Sequence, residues 1–194
     1  LLTGYLEVAG FFEWAAAGIV ERVRSARALL VALVAMSGLL SAFFINDTIC
    51  LVFTPLILAA IRPLGLNPIP FLLAIALASN VGSAMTITGN PQNMLIGIAS
   101  GIPYARFLAA LALPSLGGLV IVYAVLARVH RRDVAVPLVR PPHAEGFVVD
   151  RVLITKALVV FGGALAGWLA GFSLPLVAIA PAAVLVAIAQ RDPT

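Results

Sequence analysis

Ser79 to Gly97 reads SNVGSAMTITGNPQNMLIG. This polar stretch is rich in Gly, Ser, Thr and Asn, and apolar sequence flanks it: Leu72 to Ala78 lead in, Met94 to Ala99 lead out. Between two soluble helices it would be an ordinary loop. The rest of the chain decides otherwise. Its 194 residues are 62% hydrophobic and 10% charged, whereas a soluble domain is about 45–50% apolar and about 25% charged. The composition is that of an all-α polytopic membrane protein. In lipid, backbone outside a helix is tolerated only where protein buries it or it lines a wet cavity. An irregular polar stretch inside an apolar span therefore marks a candidate site.

Working outward, Phe71 to Ala78 begins a span, the polar stretch interrupts it, and Met94 to Ile98 completes it. Residues 71–100 are expected to form one discontinuous transmembrane helix. Its restart has a local mechanism. Asn90 is a good N-cap, and Pro91 suits the first helical position, where a missing N–H costs nothing. Upstream, Pro63 to Pro70 (PLGLNPIP) is a breaker-rich connection. Before it lies the apolar block Ala28 to Ile61, closed by Arg62. At about 34 residues it is too long for one span of about 20 and too short for two spans with a loop. Basic residues bracket both ends, and Ile45-Asn46-Asp47-Thr48 sits in the middle. A re-entrant helical hairpin over residues 28–62 satisfies all three facts.

Leu1 to Val20 is apolar but interrupted by Glu7 and Glu13. It reads as the tail of a spanning helix followed by an interfacial turn, with both carboxylates at headgroup level. Phe107 to Ala127, within a span placed at residues 105–128, is expected to bend at Pro114 and Gly117-Gly118. Val152 to Ala170 and Leu174 to Ala189 are further spans, the second broken by Pro175 and Pro181. Gly163, Gly167 and Gly171 recur every four residues, a spacing that lets another backbone approach one helix face. Basic clusters at residues 21–27 and 128–132 and at Gln190-Arg191 mark cytoplasmic ends by the positive-inside rule, leaving Arg106 outside. The organisation read from this is a first-repeat region at 1–132, a cytoplasmic linker at 133–150 and the first helices of a second repeat at 151–194. The chain opens on Leu1 without a Met or a signal-peptide pattern, so it is expected to be an excerpt from a longer protein.

Several function classes fall away. The net charge of +4 and pI near 10.0 come from Arg residues at segment ends, not from a continuous stripe that would hold nucleic acid. Lone Cys50 excludes an internal disulfide and a Cys-based zinc site, and its apolar run makes it a buried inert thiol. His130 and His143 lack partners at metal-ligand spacing. There is no nucleophile–base pair, HExxH, P-loop or mid-depth pair of carboxylates, so no enzyme is expected, and no cofactor.

Moving an ion or small anion across lipid needs a mid-depth site that replaces water. The interrupted elements supply its parts. Unwound carbonyls and Asn and Thr oxygens can coordinate sodium, while half-helix N-termini favour an anion. Thr48 and Asn90-Pro91 open two such N-termini. Ser79, Ser83, Thr86 and Thr88 add hydroxyls, and Gly82 and Gly89 are expected to supply unusual backbone angles. Asn46, Asn80 and Asn93 complete the candidate ion- and substrate-binding set, with Asn46, Asp47, Ser83 and Gly89 as candidate sodium ligands. Placing Asp47 at mid-membrane costs about 2.5–3.5 kcal/mol. It could coordinate a cation, shuttle a proton or cap the second half-helix.

SAFFINDTICLVFTPLIL followed by SNVGSAMTITGNPQNMLIG resembles the ion transporter superfamily. That group holds citrate-transporter-like proteins, arsenite permeases, sodium–proton antiporters and sodium-coupled divalent-anion symporters. The resemblance implies two inverted repeats, each with a re-entrant hairpin and a broken helix meeting near the midplane. In sodium-coupled members the hairpin tip carries Ser-Asn-Thr. Here the matching positions are Ile45-Asn46-Asp47, followed by Thr48, which looks more like the arsenite-permease and antiporter branch. Gly82 to Asn93 match the broken-helix pattern shared by all branches.

The function implied is secondary transport of a small anion, a di- or tricarboxylate or an oxyanion such as arsenite, coupled to Na+ or H+. The alternatives are a sodium–proton antiporter of the same fold, a passive anion channel and a structural membrane subunit. Such a protein would sit in a bacterial or archaeal inner membrane with its basic loops cytoplasmic. Its partners would be lipid, the anion, the second half of its own chain and, as in many such folds, a second copy. Family members are longer than this chain, which by itself holds half a site and is expected not to transport.

Overall fold

The computed structural model describes residues 2–137 and 149–189. Most of the expected linker, with His143, and the terminal Gln190-Arg191 lie outside them. Among the described residues the regular structure is helical: α1 (Leu2–Val8), α2 (Phe11–Arg22), α3 (Ala26–Phe43), α4 (Asn46–Ile61), α5 (Ile69–Ser83), α6 (Pro91–Ser100), α7 (Tyr104–Val129), α8 (Arg151–Leu169) and α9 (Leu174–Ala189). Four helical segments, Ala26–Phe43, Asn46–Leu64, Tyr104–Val129 and Arg151–Leu169, are long and apolar enough to cross a membrane. The first two of these are the arms of the expected hairpin, so length alone does not separate half-helices from full spans.

The molecule is built around α3 and α5, its most extensive helix pair. On α3 the buried residues Ala26, Leu29, Leu30, Leu33, Val34, Ser37, Gly38 and Ser41 recur at three- and four-residue intervals, so one face turns inward. The two backbones touch where Gly38 meets Gly82. A Cβ at Gly82 would lie 2.0 Å from the Gly38 carbonyl oxygen. Gly82 and Gly89 are thus required for close approach rather than for unusual backbone angles. Positive φ occurs instead at Gly10, Gly65, Gly101 and Gly171, where helices or turns end.

Local chemistry sets the helix boundaries. Ser25 opens α3 by accepting a hydrogen bond from the Ala28 N–H at 3.1 Å. Phe44 and Ile45 then leave helical geometry, separating α3 from α4. The 3-10 turn Arg62–Leu64 closes on Gly65 in the left-handed region. Pro114 lies inside α7 and Pro181 inside α9. Contrary to expectation, α9 is one continuous helix. Pro175 falls in its first turn, where the absent N–H would have had no helical partner.

The glycine series on α8 also differs from the expected packing face. Gly167 meets Val177 of α9, but Gly163 has open space beside it and Gly171, at φ 90, ends the helix.

Near the start of the chain, Glu7 is exposed and Glu13 lies in the first turn of α2, its Oε2 buried without a hydrogen-bond partner. Phe12 packs edge-on against Phe44 and Phe53, tying α2 to the α3–α4 junction. At the opposite end, residues 133–137 strap the helices together. Val134 is buried, the Val136 carbonyl accepts from Ala26 N–H at 3.1 Å, and Ser25 and Pro137 form an antiparallel bridge. A smaller cluster of Ile87, Tyr104, Phe107, Ala164 and Trp168 joins α7 to α8.

Candidate functional site

The helix of the quoted stretch runs further than its composition suggests. α5 continues through Ser79 and Asn80 to Ser83, and only residues 84–90 are irregular. The reason is that the polar side chains serve the helix itself. Ser79 Oγ donates to the Ala76 carbonyl at 3.2 Å, Asn80 Nδ2 to the same oxygen at 2.9 Å, and Ser83 Oγ to the Asn80 carbonyl at 2.9 Å.

After the interruption α6 restarts as expected. Asn90 is its N-cap, accepting from Asn93 N–H at 2.8 Å, with Pro91 at the first position. Asn93 then reaches back. Its Nδ2 lies 3.3 Å from the Ser83 and Ala84 carbonyl oxygens and 2.8 Å from that of Thr86. The Ser83 and Ala84 carbonyls are of the kind that a helix end leaves without partners, and Thr86 follows them in the loop. Asn90 Nδ2 donates to Ser83 Oγ at 3.1 Å. Gly89 lies against this joint, and a Cβ there would sit 2.2 Å from the Ser83 carbonyl oxygen.

The tip between α3 and α4 docks on the same loop: Asn46 N–H donates to the Gly89 carbonyl at 3.1 Å. Asn46 Nδ2 also donates to Asn80 Oδ1 at 3.3 Å. Asn46 is 9% exposed, and its Oδ1 is buried without a partner. Helix α4 has Ile45 as its N-cap residue and no side-chain cap; in its first turn the Asn46 N–H goes to Gly89 and the Thr48 N–H to the Ile45 carbonyl at 3.0 Å. Asp47 is the second residue of α4 and exposed; it does not cap the helix. Thr48 is the third residue, so the helix opens at Asn46 rather than at Thr48.

The starts of α4 and α6 face one cavity of about 350 Å³, lined by Asn46, Asp47, Asn80, Ser83, Asn90, Gln92 and Asn93. Gln92 was not among the residues expected from sequence. Its signal was its place in the first turn after the Asn90 cap. Five of the seven lining side chains are amides, and the one charged group is Asp47. An amide both donates and accepts, so this wall can bind an oxygen-rich solute or coordinate a cation.

The other expected residues have different places. Ser79 is buried, with Cys50 Sγ 2.9 Å from its Oγ. Thr86 and Thr88 turn away from the cavity. Thr86 Oγ1 donates to the Ala42 carbonyl and lies 3.2 Å from Thr88 Oγ1, which lies 3.1 Å from the Tyr104 hydroxyl. Among the described residues no group of three or more His, Cys, Asp or Glu converges as a metal cluster.

A model of the citrate transporter family, CitMHS, matches residues 1–194. The chain belongs to this family. It is similar to a protein designated arsB from Dictyostelium discoideum, 34% identical over 107 residues, which are 55% of this chain and 19% of that protein. The silicon efflux transporter LSI3 of Oryza sativa subsp. japonica is 37% identical over 116 residues, 60% of this chain and 24% of LSI3. The inner membrane protein YbiR of Escherichia coli strain K12 is 36% identical over 112 residues, 58% of this chain and 30% of YbiR. The chain thus spans less than a third of each of these relatives. Family membership and the four apolar helices make this an integral membrane protein of a transporter family, not an enzyme.

Proposed function

We propose that the chain supplies half of the binding site of a secondary transporter for a small inorganic oxyacid or its anion, coupled to H+ or Na+. The observation that carries this reading is the amide-lined cavity where α4 and α6 both begin. Two helix N-termini give it positive potential for an oxyanion. Asn46 Oδ1, buried and unpartnered, is left to accept from a hydroxyl or to coordinate a cation. No Lys or Arg lines the cavity. A di- or tricarboxylate would bring two or more charges to a wall whose one formal charge is negative, so arsenite or silicate fits this half better. The silicon efflux transporter among the relatives agrees with that preference.

Asp47 is the coupling group in this reading, exposed at the cavity and free to exchange a proton or a sodium ion. Because it is the lone charged group of the lining, it also supports a second reading, a sodium–proton antiporter that carries no oxyacid. The re-entrant topology belongs to the proposal too. The tip docks on residues 84–90, midway along the α5–α6 element, so α3 and α4 would enter and leave on one side. Basic residues at both ends of that block favour the cytoplasmic side. A second repeat of the same chain would complete the site.

The test uses the full-length protein in proteoliposomes, with uptake of arsenite, silicic acid, citrate and succinate followed under imposed proton and sodium gradients. Gradient-driven movement of arsenite or silicic acid is expected. Transport of citrate or succinate alone would overturn the oxyacid assignment. Proton-for-sodium exchange with no solute movement would favour the antiporter, and flux that ignores both gradients would mark a channel.

A further inference from the structure

The two threonines that leave the cavity form a chain whose hydrogen-bond direction can be read. Thr86 Oγ1 uses its one proton on the Ala42 carbonyl, in the last turns of α3. It can therefore only accept from Thr88, and Thr88 in turn can only accept from Tyr104. The run is polarised from the Tyr104 hydroxyl to the Ala42 carbonyl, a sequence in which each bond strengthens the next.

Tyr104 is 2% exposed, and its ring stacks on Trp168 of α8 with centroids 5.5 Å apart and planes 13° apart. Trp168 is held from behind by its Nε1 donating to the Leu174 carbonyl at 3.3 Å. Between the two threonines, Ile87 is buried in the same small cluster. A second aromatic contact reaches the tip itself, where Phe161 of α8 lies 5.0 Å from Phe44. Otherwise α7 and α8 share little. The hydrogen-bonded route from loop 84–90 to α8 thus runs through Tyr104, beside the apolar packing of Ile87 in the same cluster.

We infer that Tyr104 is a positioning residue that links occupancy of the cavity to α8: its hydroxyl holds the Thr88 side chain, and its ring passes any shift of that loop to Trp168. This rests on the binding-site reading above. A ligand that draws on Asn46, Ser83, Asn90 or Asn93 must adjust the loop they hold, and Thr88 moves with it. The stacked indole then changes its environment.

The test uses the full-length protein with every tryptophan except Trp168 replaced by phenylalanine. The probes are sodium arsenite, silicic acid and sodium chloride, the last against choline chloride. Binding is scored independently as a rise in the thermal unfolding temperature. The expected result is a shift in Trp168 emission with the same midpoint as the thermal response. Tyr104→Phe, which keeps the stacked ring and removes only the hydroxyl, should abolish the emission shift and leave the thermal midpoint in place. Thr88→Val should also abolish the shift, breaking the chain from the other side with the stack intact. A thermal response with silent Trp168, or an emission shift that survives both substitutions, overturns the link while leaving the site reading standing. Failure of every probe to stabilise the protein would overturn both.

Discussion

Two helix starts meet at the cavity, and they are made differently. At α6 side chains hold the backbone of the joint. Asn90 caps the helix, Asn93 gathers three carbonyls from the end of α5 and the loop after it, and Gly89 lets the chain pack against Ser83. At α4 there is no side-chain cap, Asn46 has an orphan oxygen, and Asp47 is exposed. Both starts are polar, both lie in apolar sequence, and both carry Asn. One spends its polar groups on holding two helices together, and the other leaves them available. The difference separates a framework from a binding edge, and residue type alone does not draw that line.

The largest effect should come from crowding the framework side. Gly89→Ala would bring a methyl to 2.2 Å from the Ser83 carbonyl oxygen, against backbone that no rotamer change can move. A cost of about 3 kcal/mol or more is expected from such overpacking, read as a lower unfolding temperature in detergent. Asn93→Ala follows. It leaves the Ser83, Ala84 and Thr86 carbonyls without their shared donor, and about 2 kcal/mol is expected from those unmet acceptors. A stable, well-folded Asn93→Ala protein that had lost only ligand response would invert the comparison.

Asn46→Ala should do the opposite. It removes one 3.3 Å side-chain hydrogen bond and an oxygen that has no partner, so a stability change of about 1 kcal/mol or less is expected. Transport and ligand-induced stabilisation should nevertheless be lost. Asp47→Asn sharpens this further. An acid in the first turn of a helix is worth about 0.3–1 kcal/mol through the macrodipole, so unfolding should hardly change. Coupling to the proton or sodium gradient should disappear. If Asp47→Asn still couples transport to the same ion as the unsubstituted protein, the carboxylate is not the coupling group.

How far the sequence could be read follows the same division. The break at Ile45-Asn46-Asp47 and the restart at Asn90-Pro91 were visible because they rest on local rules of capping and composition. The extent of α5 was not, since Ser79, Asn80 and Ser83 look like loop residues until their side chains turn back onto their own helix. Gly82 and Gly89 stand out in the sequence as points of backbone freedom, but their contact with Gly38 and Ser83 depends on packing that spacing does not reveal. Leu174 to Ala189 matches α9 at both ends, and Pro175 looks like a breaker by residue type alone, although at the second helical position its missing N–H costs nothing. The link from Thr88 through Tyr104 to Trp168 joins residues far apart in the chain with no shared periodicity. Only the fold brings them together.

The smallest expected effect lies outside the spanning helices and serves as the control for the rest. Asp133, in the turn after α7, accepts from the Asn67 side chain and lies 3.1 Å from His130 Nδ1. Those two contacts, Asn67 first, hold its carboxyl below its ordinary value of 3.8. A lowered carboxyl pKa contributes stability that is fully present above the unfolded value and is lost as pH falls through the folded one. The window therefore opens just below pH 4 and leaves neutral pH untouched. Unfolding temperatures of the unsubstituted protein and of Asp133→Asn should differ most at neutral pH and converge as the medium is acidified below that point. Because the Asp133 side chain is partly exposed, the difference should be small and should shrink in high salt. The strap holds helix ends and no ligand, so Asp133→Asn should leave the coupling ion and its midpoint unchanged. A shift in coupling from this position would mean that the ends of α5 and α7 take part in the cycle, and the contrast between framework and binding edge would no longer be confined to the cavity.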